Sequence, residues 1–193
     1  MNAEGDPDVQ LMLAVQRGDE SAFQQLFTKH VAAVVGFATQ FVGTRARAEE
    51  LAQDVFLQIY RTRVRYLPRA RFATWLYRMV TNACLSELRR ADYHGRVQSI
   101  DNPALRGDDE TAPIGVPTRS TEDALESREA LDGIRHALEQ LPPQQRAALL
   151  LARVEGLSYD EVATALSCSV SAVKSLIHRA TITLREQLLE DRT

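Results

Sequence analysis

The chain has two cysteines in 193 residues, Cys84 and Cys168. Both fall within helix-like patterns, and two isolated thiols exclude a disulfide framework and point to a reducing compartment. No Cys-x-x-Cys pair or Cys/His cluster offers a zinc site. The histidines His30, His94, His136 and His178 are scattered, and no spacing pairs a nucleophile with a base. An enzyme reading therefore finds no catalytic residue, no metal site and no cofactor site. Apolar runs are short as well. The longest is Ala147 to Ala152, far below the roughly 20 residues that span a bilayer. The first residues, Met1 to Asp8, are acidic and lack an apolar core, so they do not read as a signal peptide. A cytosolic protein without membrane insertion is expected. Period-two strands and internal repeats are also missing.

What is present is ordinary in bulk. Apolar residues make up 45% and charged residues 25%, which excludes collagen-like or fully disordered chains. The net charge is −3, from 23 basic and 26 acidic residues. Taken whole, this balance argues against a nucleic-acid partner, since such domains are usually basic.

Nearly every periodic segment reads as helix. Phe23, Leu26, Phe27, Val31, Val34, Val35, Ala38, Phe41 and Val42 recur at steps of one, three and four, the mark of one buried helical face. Asp19 is the expected N-cap and Gly43 the expected stop. A short helix over Pro7 to Arg17 precedes this one. Thr44 then caps a helix that turns Ala48, Leu51, Ala52, Val55 and Ile59 inward, and a third long helix runs from about Phe72 to Arg90. From Ala91 to Ser120 the pattern breaks. Gly95, Pro103, Gly107, Pro113, Gly115 and Pro117 surround an acidic triplet, Asp108, Asp109 and Glu110, and the stretch reads as a flexible linker. A loop of that length is unusual inside one compact domain. The predicted fold is therefore all-α, with two small helical domains, 1–90 and 121–193, joined by a linker over 91–120.

In the second domain, Leu125, Leu131, Ile134, Leu138 and Leu141 line one helix. Pro142 and Pro143 open another, with Ala147, Leu150, Leu151 and Val154 inward and Gly156 at its end. Ser158 and Glu161 form a capping box ahead of a short helix carrying Val162, Ala163 and Leu166. Ser167, Cys168 and Ser169 make a turn, and a last helix begins near Ser171. Short helix, tight turn and longer helix make a helix-turn-helix, whose second helix enters a major groove. Ser171, Lys174, Ser175 and His178 share one face of that helix, with Arg179 beside them. These donors suit base edges and phosphates. An ordinary helix pair with a solvated polar face is the bland alternative.

Divided along the chain, the charge tells a different story. Residues 1–60 hold four basic and eight acidic residues, whereas 61–90 hold eight arginines against Glu87 alone. Tyr60, Tyr66, Phe72, Trp75 and Tyr77 are interleaved with those arginines. Basic residues hold phosphates, and aromatics among them stack on exposed bases. Tyr66, in a predicted loop beside Pro68 and Arg69, is the better placed for contact; Phe72 and Trp75 stand open between core and ligand. On the preceding helix Glu50, Gln53, Asp54 and Leu57 fall on the face opposite Leu51, Val55 and Ile59. Carboxylate and amide groups beside an apolar residue suit a partner surface, although such a face is more often simply solvated. The mild total is thus a sum of acidic and strongly basic segments, and the inference first drawn from it fails.

Taken in order, these pieces resemble the extracytoplasmic-function sigma factors, the two-domain form of the sigma-70 superfamily. Ala48-Glu-Glu-Leu-Ala-Gln-Asp-Val-Phe56 resembles the helix that binds the β′ clamp helices of core RNA polymerase. Phe72-Ala-Thr-Trp-Leu-Tyr-Arg-Met-Val-Thr-Asn82, continuing to Leu88-Arg-Arg90, resembles the −10 recognition and melting segment. Leu141-Pro-Pro143, Gly156-Leu-Ser158, Val173-Lys-Ser175 and His178-Arg-Ala180 resemble the −35 reading domain.

The resemblance implies that residues 1–90 form region 2 and residues 121–193 form region 4. Glu50, Gln53, Asp54 and Leu57 would bind polymerase, and region 4 would contact the β flap. Arg65, Tyr66, Arg69, Arg71, Phe72, Trp75, Arg78 and Asn82 would serve the −10 element, the loop from Arg65 to Arg71 holding a flipped base. Ser171, Lys174, Ser175, His178 and Arg179 would serve the −35 element. The linker would run toward the RNA exit path. Its thirty residues reach at most roughly 100 Å, enough for the roughly 70 Å of two DNA turns although its relaxed span is nearer 30 Å. Many members carry a basic residue at the position of Leu176 and at or near Thr181, so the −35 sequence is not implied. Such a factor is a specificity subunit without an active site and needs no cofactor. Members often have an anti-sigma partner, which the sequence leaves open here. A stand-alone helix-turn-helix regulator is the alternative, but it leaves the arginine-rich segment unexplained. The relative placement of the two domains stays open between many positions and a compact autoinhibited one.

Overall fold

The computed structural model describes residues 5–98 and 133–190. Those residues are helical, without strands, in agreement with the all-α expectation. The expected linker beyond Gln98, with its acidic triplet, and the helix start around Leu125 and Leu131 lie outside the described residues.

Local chemistry sets the helix ends. In α1, Pro7–Gln16, the Asp6 carboxylate accepts from the Asp8 amide and Pro7 stands at the first turn, where its missing N–H costs nothing. Asp19 caps α2, Glu20–Val42, and Gly43 ends it at φ +79°, a left-handed geometry that favours glycine. Thr44 caps α3, Arg45–Thr62. A short 3₁₀ turn, Arg63–Arg65, follows. The next helix, α4, runs over Phe72–Gln98 and so continues eight residues past the expected end at Arg90. No proline interrupts it, and Gly95 alone costs only about 1 kcal/mol.

Helix α5 occupies 133–140 among the described residues. Pro142 and Pro143 then open α6, Pro143–Arg153. The expected capping box starts α7, Tyr159–Leu166, with the Ser158 amide donating to Glu161 and the Glu161 amide donating to the Ser158 hydroxyl. Ser167 turns the chain at φ +53°, and the Ser169 hydroxyl accepts from the Ala172 amide at the start of α8, Val170–Glu190.

In the N-terminal half, α2 packs on α1, α3 and α4. Leu26, Val34, Val35, Phe37, Ala38 and Phe41 are buried, as are Leu51, Val55, Phe56 and Ile59 of α3. In the C-terminal half α6, α7 and α8 pack mutually around Leu151, Val162, Val173 and Ile177. Val154 corrects an expectation: α6 has ended before it, and its side chain is 69% exposed. The two halves touch along α4, which packs against α7 and, more lightly, α6. Of the two arrangements the sequence left open, this structure is the compact one.

One buried charge belongs to this scaffold. Asp8 is 6% exposed and accepts from Lys29 Nζ at 2.7 and 2.8 Å, and its Oδ2 lies 2.9 Å from His30 Nε2. Burial works against the ionised carboxyl, but hydrogen bonds from Lys29 and His30 outweigh it and hold the Asp8 pKa below its usual value of 3.8. A depressed acid contributes stability above the unfolded pKa and loses it as pH falls through the lower folded value. Asp8→Ala should therefore cost on the order of 2 kcal/mol near neutrality. The gap in thermal midpoint between wild type and variant should close as pH drops below about 4. A gap that persists unchanged at pH 3 would show that packing, not charge, carries the effect.

Candidate nucleic-acid interface

The arginine-rich segment after α3 is held from beneath by the first helix. Gln16 Nε2 donates to the carbonyls of Val64 at 2.9 Å and Tyr66 at 3.2 Å. Asp6 Oδ2 accepts from the Phe72 amide at 2.8 Å, so one carboxylate caps both α1 and α4. Between these ties the chain presents Arg65, Leu67, Pro68 and Arg69 to solvent. Arg63 instead stacks over the Tyr60 ring, 4.1 Å from its centroid, and donates to the Tyr60 carbonyl. Val64 and Leu67 are 70% and 59% exposed. These exposed apolar residues on an otherwise basic loop have no counterpart in a periodic pattern, and sequence reasoning passed over them.

Two expected contact residues prove to be core. The Tyr66 ring is 3% exposed and meets Trp75 edge-on at 4.8 Å, and burial pushes its hydroxyl up to about 12. Phe72 is fully buried, with its ring against His30 and Trp75. Neither ring can stack on a base in this arrangement, because α1, α2 and α4 close over them. Trp75 is half-buried, whereas Arg78 and Asn82 are exposed on α4. Arg71 is half-buried and its Nη1 lies 3.5 Å from Glu161 Oε1 of the other half.

On α3 the outward face is as expected. Glu50, Gln53, Asp54 and Leu57 are exposed, Leu57 by 49%. Glu50 accepts from Arg47 at 2.6 Å, and Arg47 also pairs with Glu87 of α4. Surface pairs of this kind contribute only about 0.2–1 kcal/mol, so they leave the face free to exchange partners.

On α8 the outward residues are Ser171, Lys174, Ser175, His178 and Arg179, all exposed. Val173, Ile177 and Ala180 are buried on the opposite side, which points the polar set away from the body. Leu176 is half-buried and borders a crevice against Asn82 and Leu85 of α4. It is therefore not on the outward face.

Sequence reasoning missed Arg146. This α6 residue is 6% exposed. Its guanidinium donates to the Gln40 carbonyl near the end of α2, and to the carbonyls of Glu139 and Leu141. Its cationic carbon lies 5.3 Å from the Phe41 centroid. Tyr77, one of the aromatics interleaved with the arginines, is 3% exposed, with its hydroxyl donating to Glu155 and its ring 5.5 Å from Phe37. Burial pushes both the Tyr77 hydroxyl and the Glu155 carboxyl above their ordinary values.

Comparison with known proteins places both halves. The family profile Sigma-70 region 2 matches residues 26–93, and Sigma-70, region 4 matches residues 131–184. The chain is 34% identical over 179 residues to the RNA polymerase sigma-H factor of Pseudomonas aeruginosa, covering 91% of this chain and 90% of that protein. It is 30% identical over 181 residues to the ECF RNA polymerase sigma-E factor of Haemophilus influenzae, covering 92% and 93%. A solved structure of the sigma factor RpoE of Bartonella quintana, in complex with the anti-sigma factor NepR, shares the fold. Its TM-score is 0.67 at 23% identity, with 86% of this chain and 96% of that chain covered. Both halves match in the expected order, which sets aside the stand-alone regulator. The chain belongs to the extracytoplasmic-function sigma factors of the sigma-70 family.

Proposed function

We propose that the chain binds core RNA polymerase and directs it to promoters through two separate surfaces. The outward face of α8 carries this reading furthest. It bears five polar or basic side chains in a row, no acid, and a solvent-facing position behind a helix-turn-helix turn. Ser171, Lys174, Ser175, His178 and Arg179 contact the −35 element, with hydroxyl and cationic donors reaching base edges and phosphates. On the N-terminal half Arg65, Arg69, Arg71, Trp75, Arg78 and Asn82 serve the −10 element. The rings of Tyr66 and Phe72 support the loop from within. Glu50, Gln53, Asp54 and Leu57 dock on the β′ clamp helices, and region 4 lies against the β flap.

As a specificity subunit the chain supplies no active site of its own and works in the cytoplasm with polymerase. The complex of RpoE with NepR supports an anti-sigma factor as a further partner of this chain. Run-off transcription with purified core polymerase tests the reading: a promoter-specific transcript is expected only when the chain is added. On that template Lys174→Ala should weaken promoter binding by about 1–3 kcal/mol with helix content unchanged. A promoter indifferent to the substitution would remove α8 from the −35 role.

A further inference from the structure

Both ends of the basic loop are tied to a helix that lies outside the region 2 match, which begins at residue 26. Gln16 stands in the last turn of α1, and Asp6 caps its start. The side-chain nitrogen of Gln16 donates to the Val64 and Tyr66 carbonyls at 2.9 and 3.2 Å, and Asp6 Oδ2 accepts from the Phe72 amide at 2.8 Å. These partners are 48, 50 and 66 residues away in sequence. The helix that supplies them is itself a fixed post. Val9, Met12 and Val15 are buried, and Asp8 is bound to Lys29 and His30 of α2. Inside the loop the Tyr66 amide donates back to the Arg63 carbonyl, and the Arg69 amide to the Leu67 carbonyl across Pro68. Those short-range turns set the loop's curvature. Its place on the body is set by α1 and by the buried rings of Tyr66 and Phe72.

We propose that Gln16 and Asp6 are positioning residues for reading the −10 element, a role that rests on the −10 assignment of this segment made above. They act through the loop backbone and not on DNA. By fixing the chain on both sides of the arch from Leu67 to Arg71, they aim Arg65, Leu67 and Arg69. A loop that shifted by an ångström would still attract phosphates, since charge acts over roughly 8 Å at physiological salt. Hydrogen bonds to base edges instead need distances of about 2.7–3.2 Å. Loosening the ties therefore lowers discrimination between bases more than it lowers affinity.

The test uses the chain bound to core polymerase on the run-off template, with single-base changes placed in either the −10 or the −35 element. Gln16→Met keeps the length of the side chain and removes both donated bonds. The factor by which the most damaging −10 change lowers the transcript should shrink about fivefold, as expected for two lost neutral hydrogen bonds. The factor for −35 changes should stay as in wild type. Gln16→Lys returns an N–H donor of similar reach and should restore most of the loss. Asp6→Asn leaves an acceptor oxygen for only one of the Asp8 and Phe72 amides, and should act in the same direction as Gln16→Met. A merely structural role would lower output on every template alike. That pattern, or −10 discrimination equal to wild type in Gln16→Met at unchanged helix content, would overturn the positioning role. A wild-type complex that ignored every −10 change would overturn the −10 reading itself, and this role with it.

Discussion

Phe72→Ala is expected to lower stability by about 3–5 kcal/mol, the range for removing a fully buried aromatic side chain. The ring has no exposed surface, and it meets His30 of α2 at 5.3 Å and Trp75 at 5.9 Å. Its backbone amide is held by Asp6, so the helix start cannot easily slide to fill the void. Urea unfolding measures the effect, with the midpoint falling while the slope stays constant. Phe72→Leu, which keeps most of the volume, should cost under about 1.5 kcal/mol. A residue that stacked on DNA would behave in the opposite way, losing nucleic-acid affinity at unchanged stability. That outcome would restore Phe72 to the contact surface.

The second large effect belongs to α3. Gln53→Ala with Asp54→Ala should weaken binding to core polymerase at least tenfold. Stability should stay within about 0.5 kcal/mol of wild type, as for exposed positions generally. Both side chains lie on the solvent side of α3, one turn from Leu57, and truncating one partner of a hydrogen-bonded charge pair buried in an interface typically costs about 2 kcal/mol or more. Fluorescence anisotropy of a labelled chain titrated with core polymerase reads the loss. Core affinity equal to wild type would take the clamp role away from this face while leaving the fold assignment untouched.

Helix starts were legible because they are written within three residues. The Asp19 carboxylate reaches the Ala22 amide, the Thr44 hydroxyl reaches the Arg47 amide, and Ser158 and Glu161 bind each other's backbone. The outward set on α8 followed from helical spacing, since Val173, Ile177 and Ala180 claim the inner face. The fates of Tyr66 and Phe72 were not legible. They depend on Asp6, Gln16 and His30, which lie far away in sequence, and no local pattern records that approach. Arg146 was hidden for a different reason: its acceptors are backbone carbonyls, which every residue type supplies. Val154 was misjudged because the apolar pattern ran on past the last turn of α6. The extension of α4 to Gln98 shows that a lone glycine is weak punctuation.

The two oxygens of Glu161 have separate employment. Oε2 accepts from the Ser158 amide at 2.8 Å and its hydroxyl at 2.9 Å, while Oε1 is the atom turned toward Arg71. Those bonds from Ser158, with the nearby Arg71, keep its pKa below the ordinary value despite partial burial, so the carboxylate is charged throughout the neutral range. Arg71→Ala therefore removes a contact of one oxygen only, and the bonds between Ser158 and Glu161 that start α7 stay in place.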